Sequence, residues 1–236
     1  MIEIWPAIDL IDNKSVRLTE GDYATKEEMK RTPEEAIAFY TRYPQVTRIH
    51  VVDLMGAVKK QPTSSAYIET LFKRSTVPIE IGGGIRSEKT IQHYLEAGAS
   101  YVIVGTKGLQ DRDWLAKMTT RYPGKIYLGL DAKGEKVALN GWTEVSEQTI
   151  YEVAEAVNDL PLGGIIYTDI TKDGKMGGPN VEVTGALARF SKHPITASGG
   201  IRSLEDIRKL EKAGVAAAIV GKAANTHAFW EGLDDD

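Results

Sequence analysis

Asp9 closes the apolar run IWPAID and Asp131 closes IYLGLD, two segments that align at an offset of 122 residues. Carboxylates at equivalent strand ends of a closed sheet face each other across its mouth. Such a pair suits acid–base work: one takes a proton from carbon while the other, its pKa raised by burial or by its neighbour, donates to a departing oxygen. The competing reading of a strand-end aspartate is a turn cap, or a partner for a cation such as Lys14, Arg17 or Lys133. The matched placement favours catalysis.

A second signal comes from an internal repeat. Residues 81–109 align without gaps to 197–225, identical at eleven positions with a constant offset of 116. In each copy an apolar run enters a glycine-rich turn, and the next run ends in Val-Gly before a helical stretch. Gly82, Gly83 and Gly84 let backbone N–H groups approach an anion with no Cβ in the way, and a helix start adds partial positive charge. Gly105 and Thr106 close this first cup. Gly199 and Gly200 with Gly221 and Lys222 form the second, so two cups imply two phosphates. A lone GGG more often makes only a tight turn; duplication shifts the balance. Arg86 and Arg202 either clamp phosphate or pair with acids on the outer surface. Asp53 and Asp169, also 116 apart, are structural or substrate-orienting. The segment TDITKDGKMGGPN contributes Thr168, Asp173, Gly174 and Gly177, and its Asp-Gly and Gly-Gly steps mark a mobile turn over the mouth. Trp142, in NGW, stacks on a planar heterocycle or anchors its loop; an exposed loop tryptophan favours the ligand.

Eight short apolar runs can position these groups: Ile2 to Ile8, Arg48 to Val52, Val77 to Ile81, Tyr101 to Val104, Lys125 to Leu130, Gly164 to Tyr167, Pro194 to Ala197 and Ala216 to Val220. Their near-continuous apolar character suits strands buried on both faces of a parallel sheet. Amphipathic stretches between them read as helices, as in Thr32-Pro33-Glu34, with its cap and first-turn proline, and Ser87 to Ala97, which ends at Gly98. Eight such units in 236 residues predict an α/β fold, a (β/α)8 TIM barrel with internal half-barrel duplication, forming one domain over 1–236. Long loops are expected at Ile11 to Arg31, Ala132 to Ser146 and Ile170 to Pro179.

Composition narrows the partners. With 42% hydrophobic and 26% charged residues the chain can bury a sizeable core, and a net charge of −4 argues against nucleic acid or an anionic membrane. There is no cysteine, and the four histidines are far apart, so neither a thiolate nucleophile nor a metal is expected. The N-terminus lacks a basic region and no apolar run approaches the ~20 residues of a membrane span. The expectation is a cytoplasmic monomer acting on a small molecule.

The ordered set AIDL, KSVRL, HVVDL, IGGGIRS, GLDAKGEKVALNGW, TDITKDG and ASGGIRS, running from about Ile4 to Ala224, resembles the histidine-biosynthesis barrel isomerases of the phosphoribosylformimino-5-aminoimidazole carboxamide ribotide isomerase family. The resemblance implies an Amadori rearrangement of a bisphosphorylated aminoaldose ribonucleotide to its aminoketose, without cofactor or metal. It assigns Asp9 as general base and Asp131 as general acid, gives substrate contacts to Arg17, Thr168 and Asp173, and matches Trp142 to an aromatic loop residue. The nearest rival is the sister cyclase, a lyase that docks a glutaminase and receives ammonia through its core. A bifunctional enzyme also accepting phosphoribosylanthranilate is a further alternative, as is a non-catalytic phosphate-metabolite binder. A dedicated phosphoribosylanthranilate isomerase would use a cysteine base that is missing here. The acidic tail Asp234 to Asp236 carries no assigned role.

Overall fold

In chain order the strands are β1 (Glu3–Ile11), β2 (Lys14–Thr19), β3 (Asp22–Glu28), β4 (Ile49–Asp53), β5 (Ile79–Gly82), β6 (Tyr101–Val104), β7 (Ile126–Lys133), β8 (Lys136–Leu139), β9 (Glu144–Thr149), β10 (Gly164–Asp169), β11 (Ile195–Ser198) and β12 (Ala217–Val220) in a computed structural model that describes residues 2–234. Eight of them, β1, β4, β5, β6, β7, β10, β11 and β12, pair in parallel in that order. β12 then returns to β1 in the register Glu3–Ala217 to Pro6–Val220 and closes the ring. This is the expected (β/α)8 barrel, with helices between its strands. Each expected run coincides with one barrel strand, shifted by up to three residues at an end.

The helices begin and end where local chemistry directs. Thr32 and Glu35 form a reciprocal capping box ahead of Pro33–Tyr40, and Ser87 accepts from the Thr90 N–H while Gly98, at φ 118, terminates Glu88–Ala97. The apolar faces of these helices pack on the outer face of the barrel in one continuous core.

Two expected loops are not loops. Residues within 11–31 form β2 and β3, an antiparallel hairpin on β1, and residues within 132–149 form β8 and β9, a hairpin on β7. The sheet therefore has 12 strands. β1 and β7 open the two half-barrels, and both run on past the barrel rim to carry these hairpins. The third expected loop, from Ile170 to Pro179, does remain irregular.

Inward-facing residues alternate with outward-facing ones along each barrel strand. Towards the strand starts, Trp5, Tyr127 and the partly buried Tyr101 fill the axis, with Ala7, Ile166, Ala217 and Ile219 packed among them. The Arg48 guanidinium lies among these rings, 3.9 Å from the Trp5 and Tyr101 centroids and 4.9 Å from that of Tyr127. Its Nη1 donates to Glu80 Oε2 at 3.2 Å, and His50 Nδ1 stands 3.0 Å from Glu80 Oε1. Glu80 is 0% exposed, so burial of its charge depends on these two partners. The axis is plugged below the mouth.

No helix of the described residues is long and apolar enough to cross a membrane. Asp235 and Asp236 of the acidic tail lie outside the described residues.

Candidate active site

A cavity of about 310 Å³ opens at the strand C-termini, and both Asp9 and Asp131 line it. Around it stand Arg17, the first-cup residues Gly82, Gly83, Gly84, Arg86, Gly105 and Thr106, and the second-cup residues Gly199, Gly200, Gly221 and Lys222. Trp142, Thr168, Asp173 and Gly174 complete the sequence candidates found there. Gly177 is the exception: it is exposed and off the cavity wall, and the packed glycine of that pair is Gly178, whose N–H donates to the Gly200 carbonyl at 3.0 Å. Sequence cannot separate two adjacent glycines; the backbone contact does.

The two aspartates sit on the first and fifth strands of the ring, across the mouth from each other, and their surroundings differ. Asp9 Oδ2 lies 3.4 Å from Arg17 Nη1. That guanidinium is 4% exposed; Nη1 also donates to the Val16 carbonyl at 3.0 Å and Nη2 to the Ala7 carbonyl. Arg17 Nε has no partner, and it faces Gly221, where an added Cβ would stand 3.4 Å from it. Arg17 therefore links Asp9 to the second cup. Asp131 instead accepts from Trp142 Nε1 at 2.7 Å. Burial pushes the Asp131 carboxyl above the usual carboxylate range, opposed by the Trp142 and Thr168 hydrogen bonds and by His50.

Asp173 brings a third carboxylate to the same space. Burial first, then the charges of Asp9 and Asp131, push it up to about 7, against Arg17 and Lys222. A carboxyl with a raised folded-state pKa is held more tightly protonated in the native state, so its contribution weakens folding as pH rises from about 4 towards 7. Asp173→Asn is therefore expected to stabilise the protein on the order of 2–4 kcal/mol at pH 8, with the gain vanishing near pH 4. Urea unfolding at the two pH values measures this, and equal gains at both would exclude the electrostatic account.

The glycine cups have the backbone that only glycine adopts freely. Gly83 has φ 110, and a Cβ there would fall 2.1 Å from the Asp53 carbonyl oxygen; Gly199, its counterpart, has φ 101. Asp53 and Asp169 prove structural. Asp53 accepts from the Gly56 N–H, the Thr63 N–H and the Thr63 hydroxyl at 2.6–2.8 Å, while Asp169 accepts from Thr171 and from Asn180 Nδ2. Each pins the loop that presses on its cup. The arginines diverge. Arg202 Nε pairs with Asp206 Oδ2 at 3.3 Å, whereas the residue equivalent to Asp206 in the first half is Thr90, leaving Arg86 without an ion pair among the described residues and on the cavity wall.

Residues 3–229 match the model of the family described as histidine biosynthesis protein. The chain belongs to this family. The match spans both half-barrels, so this histidine biosynthesis protein is a barrel enzyme of that pathway.

In this member of the family the excursions above the barrel meet over the mouth. Trp142, itself at φ 71, packs its ring on Gly21 at the β2–β3 turn, where an added Cβ would lie 2.3 Å from the indole. From the other side, the Glu20 N–H donates to the Asp173 carbonyl at 3.0 Å and Lys175 pairs with Glu20 at 3.0 Å. Gly174 comes so close to β2 that a Cβ would stand 2.2 Å from the Leu18 carbonyl oxygen. The turn over the mouth thus contacts the hairpin through Asp173, Gly174 and Lys175. Further residues on the cavity wall are not among the sequence candidates, among them Tyr23, whose hydroxyl donates to the Leu54 carbonyl at 2.8 Å, His50 and Ser198. Period-two alternation would have found His50, because HVVD turns Asp53 into its own loop and leaves His50 and Val52 facing inward.

Proposed function

We propose that this histidine biosynthesis protein is the pathway's aldose–ketose isomerase, converting the N'-(5'-phosphoribosyl)formimino aminoimidazole carboxamide ribotide aminoaldose to the aminoketose with one phosphate in each cup. The observation that carries this reading is the unequal pair of facing carboxylates. Asp131, whose carboxyl burial pushes above the usual carboxylate range, acts as general acid and donates to the ribose ring oxygen; the C1'–O bond breaks, the sugar opens and a protonated Schiff base forms at C1'. Asp9, held beside Arg17, acts as general base and removes the C2' proton, giving an enolamine. That species gains a proton at C1' and loses one from its C2' hydroxyl, which leaves the ketone. Thr168 and Asp173 orient the ribose, and Trp142 covers the aminoimidazole end. Neither cofactor nor metal takes part in this scheme.

The plugged axis supports isomerase over cyclase. A cyclase that takes ammonia through its barrel needs a passage along the axis, and here Trp5, Tyr101, Tyr127 and the paired Arg48 occupy it. The deciding experiment incubates the purified protein with the aminoaldose, without glutaminase or ammonia, and follows ketose formation. Accumulation of ketose is expected. No conversion, combined with ammonia-dependent turnover of the ketose, would make the protein the cyclase instead.

A further inference from the structure

Lys60 is held in a conformation that favours glycine. It sits at φ 59, ψ 29, just past the helix Leu54–Lys59, with its backbone N–H donating to the Gly56 carbonyl. At this C-terminal position the left-handed backbone normally selects glycine, because a Cβ is strained there. The half-barrel repeat makes the exception systematic: Met176, 116 residues on, has φ 52, and like Lys60 it lines the cavity. The flanking segments press on equivalent glycines. An added Cβ on Gly84 would fall 2.6 Å from the Gly56 carbonyl oxygen and 2.7 Å from the Gln61 carbonyl carbon, and one on Gly200 would fall 2.5 Å from the Gly178 carbonyl oxygen. Both left-handed residues are thereby set beside a glycine of a cup.

The two positions differ in charge. The second cup takes its cations from elsewhere, Arg17 through its unpartnered Nε and Lys222 beside Gly221. The first cup has Arg86 and Lys60. Among the described residues neither forms an ion pair, while the nearby Lys107 is engaged with Asp111 at 3.1 Å. A strained, unpaired cation at the rim of an anion cup indicates that strain is retained for binding.

We propose that Lys60 is a phosphate-binding side chain of the first cup, and that its left-handed backbone persists because it delivers the ammonium to the phosphate. This rests on the two-phosphate reading of the site. Lys60→Gly and Lys60→Arg test it. Relief of strain is expected to raise the unliganded melting temperature of Lys60→Gly by about 1–3 °C. The same variant is expected to lose about half of the melting-temperature rise produced by inorganic phosphate, and to raise KM for the aminoaldose about fivefold with kcat within about twofold. Lys60→Arg is expected to retain the phosphate response. A Lys60→Gly protein with unchanged phosphate response and unchanged KM would overturn the proposal and leave Lys60 as a turn residue. If the wild-type protein fails to isomerise the aminoaldose but the phosphate response still depends on Lys60, the isomerase reading falls and this assignment stands.

Discussion

Under the proposed isomerase chemistry, Asp9→Asn is expected to lower kcat for the aminoaldose by at least about a hundredfold, the usual share of a positioned acid–base group. The amide has the shape of the carboxylate but cannot accept the C2' proton, so the step that creates the enolamine loses its base. The surrounding scaffold does not depend on the Asp9 charge alone, because Arg17 is anchored by the Val16 and Ala7 carbonyls as well as by Asp9. Steady-state rates of ketose formation measure the effect, with the inorganic-phosphate response as a check that the cups survive. Turnover within tenfold of wild type would show that the proton leaves by another route.

Glu80→Gln is expected to cost about 3–5 kcal/mol of folding stability, measured by urea unfolding. Both Glu80 oxygens are used, one by Arg48 and one by His50, and the side chain is 0% exposed. Removing the charge leaves the Arg48 guanidinium enclosed by three aromatic rings with no counter-ion, and ring faces compensate only part of its lost hydration. Replacing Arg48 by Met in the same chain recovers most of the loss, since no bare charge then remains. A single-variant loss below about 1 kcal/mol would mean that the plug stands on packing alone.

The barrel strands were legible because burial on both faces writes itself as runs of Ile, Val, Leu and Ala, and the cups because duplication repeats glycine where the backbone needs it. The hairpins were not. All seven residues of β3 are exposed, and its DYATKEE has the composition of a solvated loop; what makes it a strand is pairing with β2 above the rim. Site membership was legible for charged residues and glycines at strand ends, such as Asp9, Asp131 and Gly82, but not for Ser198, which also ends its strand. Roles that depend on a partner from another segment were not, as with Asp53 and Thr63, Arg202 and Asp206, or the Trp142 indole on Asp131. Nor does the lysine at position 60 signal a left-handed turn, since that backbone is set by the contact with Gly84 rather than by side-chain preference.

The indole on Asp131 has a kinetic consequence. Its N–H occupies an oxygen of the proposed general acid, and its ring is seated on Gly21 of the opposite hairpin. A ribose held at that oxygen requires the indole to leave it, so under the proposed chemistry the resident side chain would act as an internal competitor and a ligand would be met only by the fraction of molecules in which it has swung away. Apparent affinity is the intrinsic affinity scaled by that fraction. Weakening the seat, at Gly21 or along the Glu20–Lys175 pair, would then raise that fraction and speed capture of the substrate without touching a group proposed to perform the chemistry.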